Sequence, residues 1–178
     1  ELFKTSDGVG SWAYPEDSII RLGNVPLFSG FMYAAVGSYI ARSWRVMKLE
    51  FSHYPNRWAT VGLALGIYVN FFSHHYLPDA RYVLFAVTFW LYRKTSVSYV
   101  LNAAKHKMHL LVGFFLIAFF IWIAENIGTF TSAWLYPEQE AGWSLVSLNK
   151  LGSWVLLMII SFIMVDIMLY MRSKKNAR

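Results

Sequence analysis

The residues first able to do chemistry are His74, His75, Asp79 and Glu125. Glu125 ends the long apolar run that begins near Met108. A carboxylate at such an edge either reaches headgroup water or faces a cavity between helices, where it could donate a proton. Ser73-His74-His75-Tyr76-Leu77-Pro78-Asp79 closes another apolar run. Adjacent histidines point about 100° apart on a helix, so one can face inward while the other meets the interface. An imidazole beside Asp79 and Glu125 could relay protons or bind a metal. Polar residues that merely mark the end of a span would look the same.

Asp166 is the acid set well inside an apolar run, about 22 Å along a helix from Leu151. Such an acid is a coupling group on an ion or substrate path, or else it pairs with Arg172 or a nearby lysine. Asn70 is a further polar mark on such a path, although interhelical hydrogen bonding explains it and Asn102 equally well. Trp134 and Tyr136 belong to a stretch from Glu125 to Glu138 that the chain opens with in degenerate form. Glu1 leads there through Gly8 and Gly10 to Ser11-Trp12-Ala13-Tyr14-Pro15-Glu16. Trp12, Tyr14, Trp134 and Tyr136 either anchor two loops at headgroup level or fold inward over a site. Glu1 then holds the place of Glu125 in the first copy, as one half of a carboxylate pair.

Composition says what must hold these residues. The chain is 57% hydrophobic and 19% aromatic, with only 15% charged residues. A soluble domain carries about a quarter charged. The excess apolar surface calls for lipid, and the expected architecture is an all-α, polytopic transmembrane bundle within a single domain, 1–178. A span takes roughly 20 apolar residues. Five are expected, at about 25–44, 58–77, 80–94, 108–125 and 151–171. Residues 1–24 form an outer interfacial segment, and 172–178 a basic cytoplasmic tail. The third span is the weakest, because Tyr82 to Tyr92 is all that separates Arg81 from Arg93. It needs to be short or tilted, with the amphipathic stretch Thr95–Ala104 lying on the inner surface.

Charge distribution orients the bundle. If five spans alternate, Arg42, Arg45, Lys48, Arg57, Arg93, Lys94, Lys105, Lys107, Arg172, Lys174, Lys175 and Arg178 share one face, expected to be cytoplasmic. The net charge of +6 therefore follows topology and implies no nucleic acid. Both Trp-x-Tyr-Pro-Glu copies fall on the outer face in the same orientation, as in a parallel internal repeat. The start at Glu1, with neither an initiator methionine nor a signal peptide, suggests a trimmed chain preceded by at least one helix. Seven or eight helices are expected in the whole protein.

Several chemistries are excluded. There is no cysteine, hence neither a disulfide nor a thiolate metal site. His106 and His109 flank a span at the inner side, as does His53, and cannot join His74 and His75. The histidine pattern of membrane di-iron enzymes is thus absent, and no metal or cofactor is expected. Walker, dinucleotide-binding, nucleophile-elbow and His-Glu-x-x-His motifs are missing too.

Gly10-Ser11-Trp12-Ala13-Tyr14-Pro15-Glu16, Val25-Pro26-Leu27-Phe28-Ser29-Gly30-Phe31 and Ala124-Glu125-Asn126-Ile127-Gly128-Thr129-Phe130-Thr131 resemble the bacterial integral-membrane family known as domain of unknown function 817. The resemblance runs through Phe71-Phe72-Ser73-His74-His75 and Lys150-Leu151-Gly152-Ser153-Trp154, over almost the whole chain. It implies a multi-pass protein of the bacterial inner membrane, longer at its N-terminus, and it brings no established activity; the cytoplasmic C-terminus is expected from the charges alone. Three functions stay open, with the first favoured over the two alternatives. A transporter or permease-like protein would use Asp166 and Glu125 as coupling acids. A membrane enzyme on a lipid or isoprenoid substrate would use Glu125, His74 and Asp79 as acid–base groups. A non-catalytic subunit would need neither. The expected partner is the lipid bilayer; a homo-oligomer or a membrane complex stays open.

Overall fold

The computed structural model describes residues 1–176. Its five helices are α1 (Phe28–Val46), α2 (Arg57–Ser73), α3 (Arg81–Tyr92), α4 (Leu110–Phe130) and α5 (Leu148–Asn176). Five short strands are interspersed among them: β1 (Arg21–Leu22) and β2 (Val25–Pro26) before α1, β3 (Glu50–Ser52) before α2, and β4 (Ser96–Leu101) and β5 (Ala104–His109) before α4.

Two findings overturn the five-span, all-helical expectation. The first is the strands. β1 and β2 form a small hairpin, and β3, β4 and β5 form an antiparallel sheet in that order. Thr95–Ala104 is therefore not an interfacial helix. Val97, Tyr99 and Leu101 alternate with Ser96, Ser98 and Val100, and Asn102 and Ala103 both take positive φ (49° and 63°). That is the backbone a two-residue hairpin turn demands, with its twist matched to the strands. Phe51, Val97 and Met108 lie on one face of this sheet, against the core. Lys105 and Lys107 lie on the other, exposed face, where Lys105 meets Glu50 at 2.5 Å. His106 and His109 belong to β5 rather than flanking a span as part of a helix. His106 stacks on Tyr99, while His109 caps α4 by accepting from the Leu111 N–H.

The second finding is length. Among the described residues, only α4 and α5 are long and apolar enough to cross a membrane. At 1.5 Å per residue α4 measures about 31 Å, enough for a hydrocarbon layer. α3 measures about 18 Å, and α2 about 26 Å. α1 has the length but carries Gly30, Gly37, Arg42 and Arg45 among its apolar residues. The alternation of five crossings that oriented the charges loses its basis. The basic tail is mostly the last turn of α5; residues 177–178, with Arg178, lie outside the described residues.

α5 is the central element, packed against α4, α2 and α1. Its Ile159 and Ile163 are fully buried, and Phe162 sits at the centre of an aromatic cluster. Trp44 stacks on Phe162 with centroids 5.2 Å apart, while Phe114 and Phe51 meet it at 5.1 and 5.5 Å. α4 is different. Only 22% of its most apolar window is buried, leaving Phe115, Phe120, Ile127 and Phe130 outward. A core helix of a soluble protein would be covered on most sides.

Candidate functional site

The two Trp-x-Tyr stretches meet. Ala13 and Leu135 exchange a pair of backbone hydrogen bonds, each 2.9 Å, as an isolated antiparallel bridge. Because these are the middle residues of Trp12-Ala13-Tyr14 and Trp134-Leu135-Tyr136, the two motifs face each other across a local two-fold. Each tyrosine hydroxyl then donates to its own copy's glutamate. Tyr14 reaches Glu1 Oε2 at 3.0 Å, and Tyr136 forms a short bond to Glu125 Oε1. An indole N–H completes each half, from different places. Trp12 donates to Glu1 Oε2 at 3.0 Å, whereas Glu125 Oε2 receives Trp154 of α5 at 2.5 Å.

Trp134 has another task. Its ring covers Gly128 so closely that a Cβ there would overlap it. Glycine at 128 lets the loop fold back over α4. The 3-10 turn Pro137–Gln139 then fixes Tyr136, whose backbone N–H donates to Gln139 Oε1 at 3.3 Å.

These groups surround a cavity of about 430 Å³. Glu125, His74, Trp12, Tyr14, Trp134 and Tyr136, all singled out in the sequence, line it together with Glu1. Glu125 is 2% exposed, and both its oxygens accept from neutral donors. His74 Nδ1 lies 2.9 Å from the Asn70 carbonyl, which can only accept, so Nδ1 carries the hydrogen. In the neutral ring this leaves the Nε2 lone pair as a base. Burial pushes the Tyr14 hydroxyl above its ordinary value, reinforced by the charge and hydrogen bond of Glu1. Tyr14 thus stays a protonated donor.

The other expected residues stand outside this cavity. His75 packs ring-to-ring against His74, centroids 4.1 Å apart, and takes a 2.7 Å hydrogen bond from Lys4 Nζ. Burial, then Lys4 and His74, hold its imidazole below the usual range, so it is a neutral acceptor. Asp79 and Asn70 fasten the corner between α2 and α3. Asn70 Nδ2 donates to Asp79 Oδ1 at 3.0 Å, and Arg81 Nε to Asp79 Oδ2 at 2.5 Å. Burial raises the Asp79 carboxyl, but these hydrogen bonds outweigh it and the net direction is down. Asp166 is 4% exposed and pairs with Arg57 Nε at 3.2 Å, not with Arg172 or a lysine. The Arg57 guanidinium also lies 4.0 Å from the Tyr170 ring centroid.

Lys4, Lys150, Arg81 and Trp154 also line the cavity without having been singled out. The only advance signal was indirect. Lys150 and Trp154 lie in a five-residue block at the start of the last helix, and Lys4 lies three residues beyond Glu1. Among the described residues, no three His, Asp or Glu side chains converge as a metal site would require.

Comparison with known proteins places this architecture in a family. The model described as "Protein of unknown function (DUF817)" matches residues 1–162, and the chain belongs to that family. It is similar to the uncharacterized protein YoaT of Bacillus subtilis (strain 168), with 49% identity over 165 residues. That alignment covers 93% of this chain, while the chain spans 62% of the relative's length. No solved structure matches the chain.

Proposed function

We propose that the chain supplies a membrane-embedded acid–base site acting on an amphiphilic lipid or isoprenoid substrate. The observation that carries this reading is that Glu125 and His74 line one aromatic-walled cavity. His74 Nε2 is the base able to take a proton from a bound substrate. Glu125 and Tyr136 form a short hydrogen-bonded line along which a proton can pass to or from the substrate. Trp12, Phe71, Trp134 and Trp154 provide apolar walls for a chain and exclude water from the reacting atoms. The outward apolar faces of α4 and α5 suit a lipid surround, from which such a substrate would enter.

Transport through Asp166 has less in its favour. Its carboxylate is held by Arg57 and lies about 18 Å along α5 from Trp154, away from the cavity.

The test is an untargeted lipid and metabolite comparison of bacteria with and without the full-length gene. The same comparison is made with Glu125→Gln and His74→Ala. The expected result is a lipid-soluble compound that accumulates without the gene and equally in both variants. Turnover by either variant at the wild-type level would sink the acid–base reading. A compound changed only in its distribution across the membrane, with no change of structure, would point to transport instead.

A further inference from the structure

We infer that the Glu125 cavity holds an oxyanion headgroup, phosphate or carboxylate, between Lys4 and Lys150. This deepens the amphiphile reading and rests on it, naming the end of the substrate that the protein grips.

Two cations, one of them deeply buried, line the cavity. Lys4 is 3% exposed yet lines the cavity. Its ammonium donates to a neutral histidine, His75, and lies 4.2 Å from the Phe71 ring centroid. Lys150 lies 3.7 Å above the Tyr136 ring. Among the described residues, neither ammonium has a carboxylate within ion-pair distance; the pairs found are Arg57–Asp166, Arg81–Asp79 and Lys105–Glu50. Ring faces and an imidazole soften the burial of a cation without cancelling its charge. Burying a charge without a counter-charge is costly.

Lys150 feels the charges of Glu138 and Glu125 from beyond ion-pair distance, whereas the charge felt by Lys4 is that of Lys150. Glu1 is turned to Trp12 and Tyr14, and Glu125 to Tyr136 and Trp154. Glu138 stands exposed at the rim. The third cation, Arg81, is already engaged by Asp79.

Electrostatics agree with the geometry. Burial first, and repulsion from Lys150 second, hold the Lys4 ammonium down to about 8. An anion placed between the two lysines would relieve that repulsion. The first turn of α5 also opens on the cavity, through Asn149 and Lys150. The positive end of a helix dipole favours an anion at that position. The aromatic walls are surface that a free inorganic ion would leave unused and a lipid tail would cover.

The experiment uses the full-length protein in detergent micelles. Its tryptophan fluorescence is titrated with short-chain phosphatidic acid, inorganic phosphate and a neutral short-chain diacylglycerol. The expected order is phosphatidic acid tightest, inorganic phosphate weaker but competing with it, and diacylglycerol weakest. Lys150→Gln should weaken phosphatidic acid by about tenfold or more, since a charge-assisted hydrogen bond is lost. Lys4→Arg should retain binding and Lys4→Gln lose it. If Lys4→Gln does not fold, the Lys150→Gln titration decides alone. Inorganic phosphate binding as tightly as the lipid would keep the oxyanion site but make a free anion its ligand. Wild-type affinity in Lys150→Gln, or equal binding of diacylglycerol, would overturn the proposal. The acid–base reading is tested apart from it. Glu125→Gln should lower turnover by about a hundredfold or more without weakening phosphatidic acid, because that side chain bonds to Tyr136 and Trp154 and its charge opposes a bound anion.

Discussion

Glu125 and Asp166 are both buried carboxylates on apolar helices, and their surroundings differ in kind. Asp166 is matched by a full positive charge, Arg57, which is itself stacked on Tyr170. Glu125 is held by a phenol and an indole, neutral donors that fix its direction without neutralising it. One acid opens on a cavity and the other does not. A paired acid serves the fold, because separating it from its partner leaves a buried charge alone. An acid held by neutral donors keeps its capacity to exchange a proton with whatever enters. Buried acids on apolar helices are therefore not equivalent candidates, and the identity of the donor separates them.

The largest expected effect lies on the Glu125 side. Glu125→Gln should lower turnover of the accumulating compound by about a hundredfold or more, the range of general acid–base catalysis. Its thermal stability should fall by only about 1 kcal/mol, as one hydrogen bond is lost. Asp166→Asn should behave in the opposite sense. Stability falls by about 2 kcal/mol, between the limits for exposed and buried pairs because Arg57 is 42% exposed. Turnover per folded molecule is unchanged, as read by thermal unfolding and activity on the same preparation. Comparable turnover losses in both variants would collapse the distinction.

Gly128→Ala comes next. The new methyl must push Trp134 off α4, at a cost of about 1–3 kcal/mol for overpacking. It should also shift the tryptophan emission and weaken the cavity. No shift would mean that Trp134 is not seated as described.

The smallest effect concerns pH. Lys4 is lowered from its ordinary value to about 8. Between pH 8 and about 10.5 the unfolded chain therefore binds more protons at this site than the folded one. The Lys4 contribution to stability should rise with pH across that window, and be flat below it. Thermal unfolding of the wild type against Lys4→Gln would show the slope difference. A contribution that fell with rising pH would mean that Lys4 has a buried carboxylate partner.

Much of this contrast was legible in the sequence, unevenly. The Trp-x-Tyr stretch drew attention because it recurs, and the His74-His75 pair because it closes an apolar run near Asp79, and six of the singled-out residues do line one cavity. The partner of Asp166 was not legible. Arg57 lies 109 residues away and looked like one topology charge among many. Nor did Lys4 and Lys150 stand out, since lone basic residues beside apolar runs carry no spacing that marks a site. The β4–β5 hairpin was hidden because Ser96–Leu101 alternates only weakly and sits between apolar helices, where a mildly amphipathic stretch fits an interfacial segment equally well. Its turn at Asn102-Ala103 carries no glycine to mark it. Helix positions follow from local apolar content; whether a helix spans depends on its ends, and α2 and α3 stop too early.

The measurement that tests the central claim most directly compares two replacements in cells lacking the gene, scored by the amount of the accumulating compound. One restored gene carries Glu125→Gln; the other carries Arg57→Met with Asp166→Leu, which removes the ion pair as a unit. The Glu125 variant is expected to leave the compound at the level seen without the gene, while the double variant returns it to the wild-type level. Restoration by Glu125→Gln, with failure of the ion-pair variant at equal protein abundance, would contradict the account.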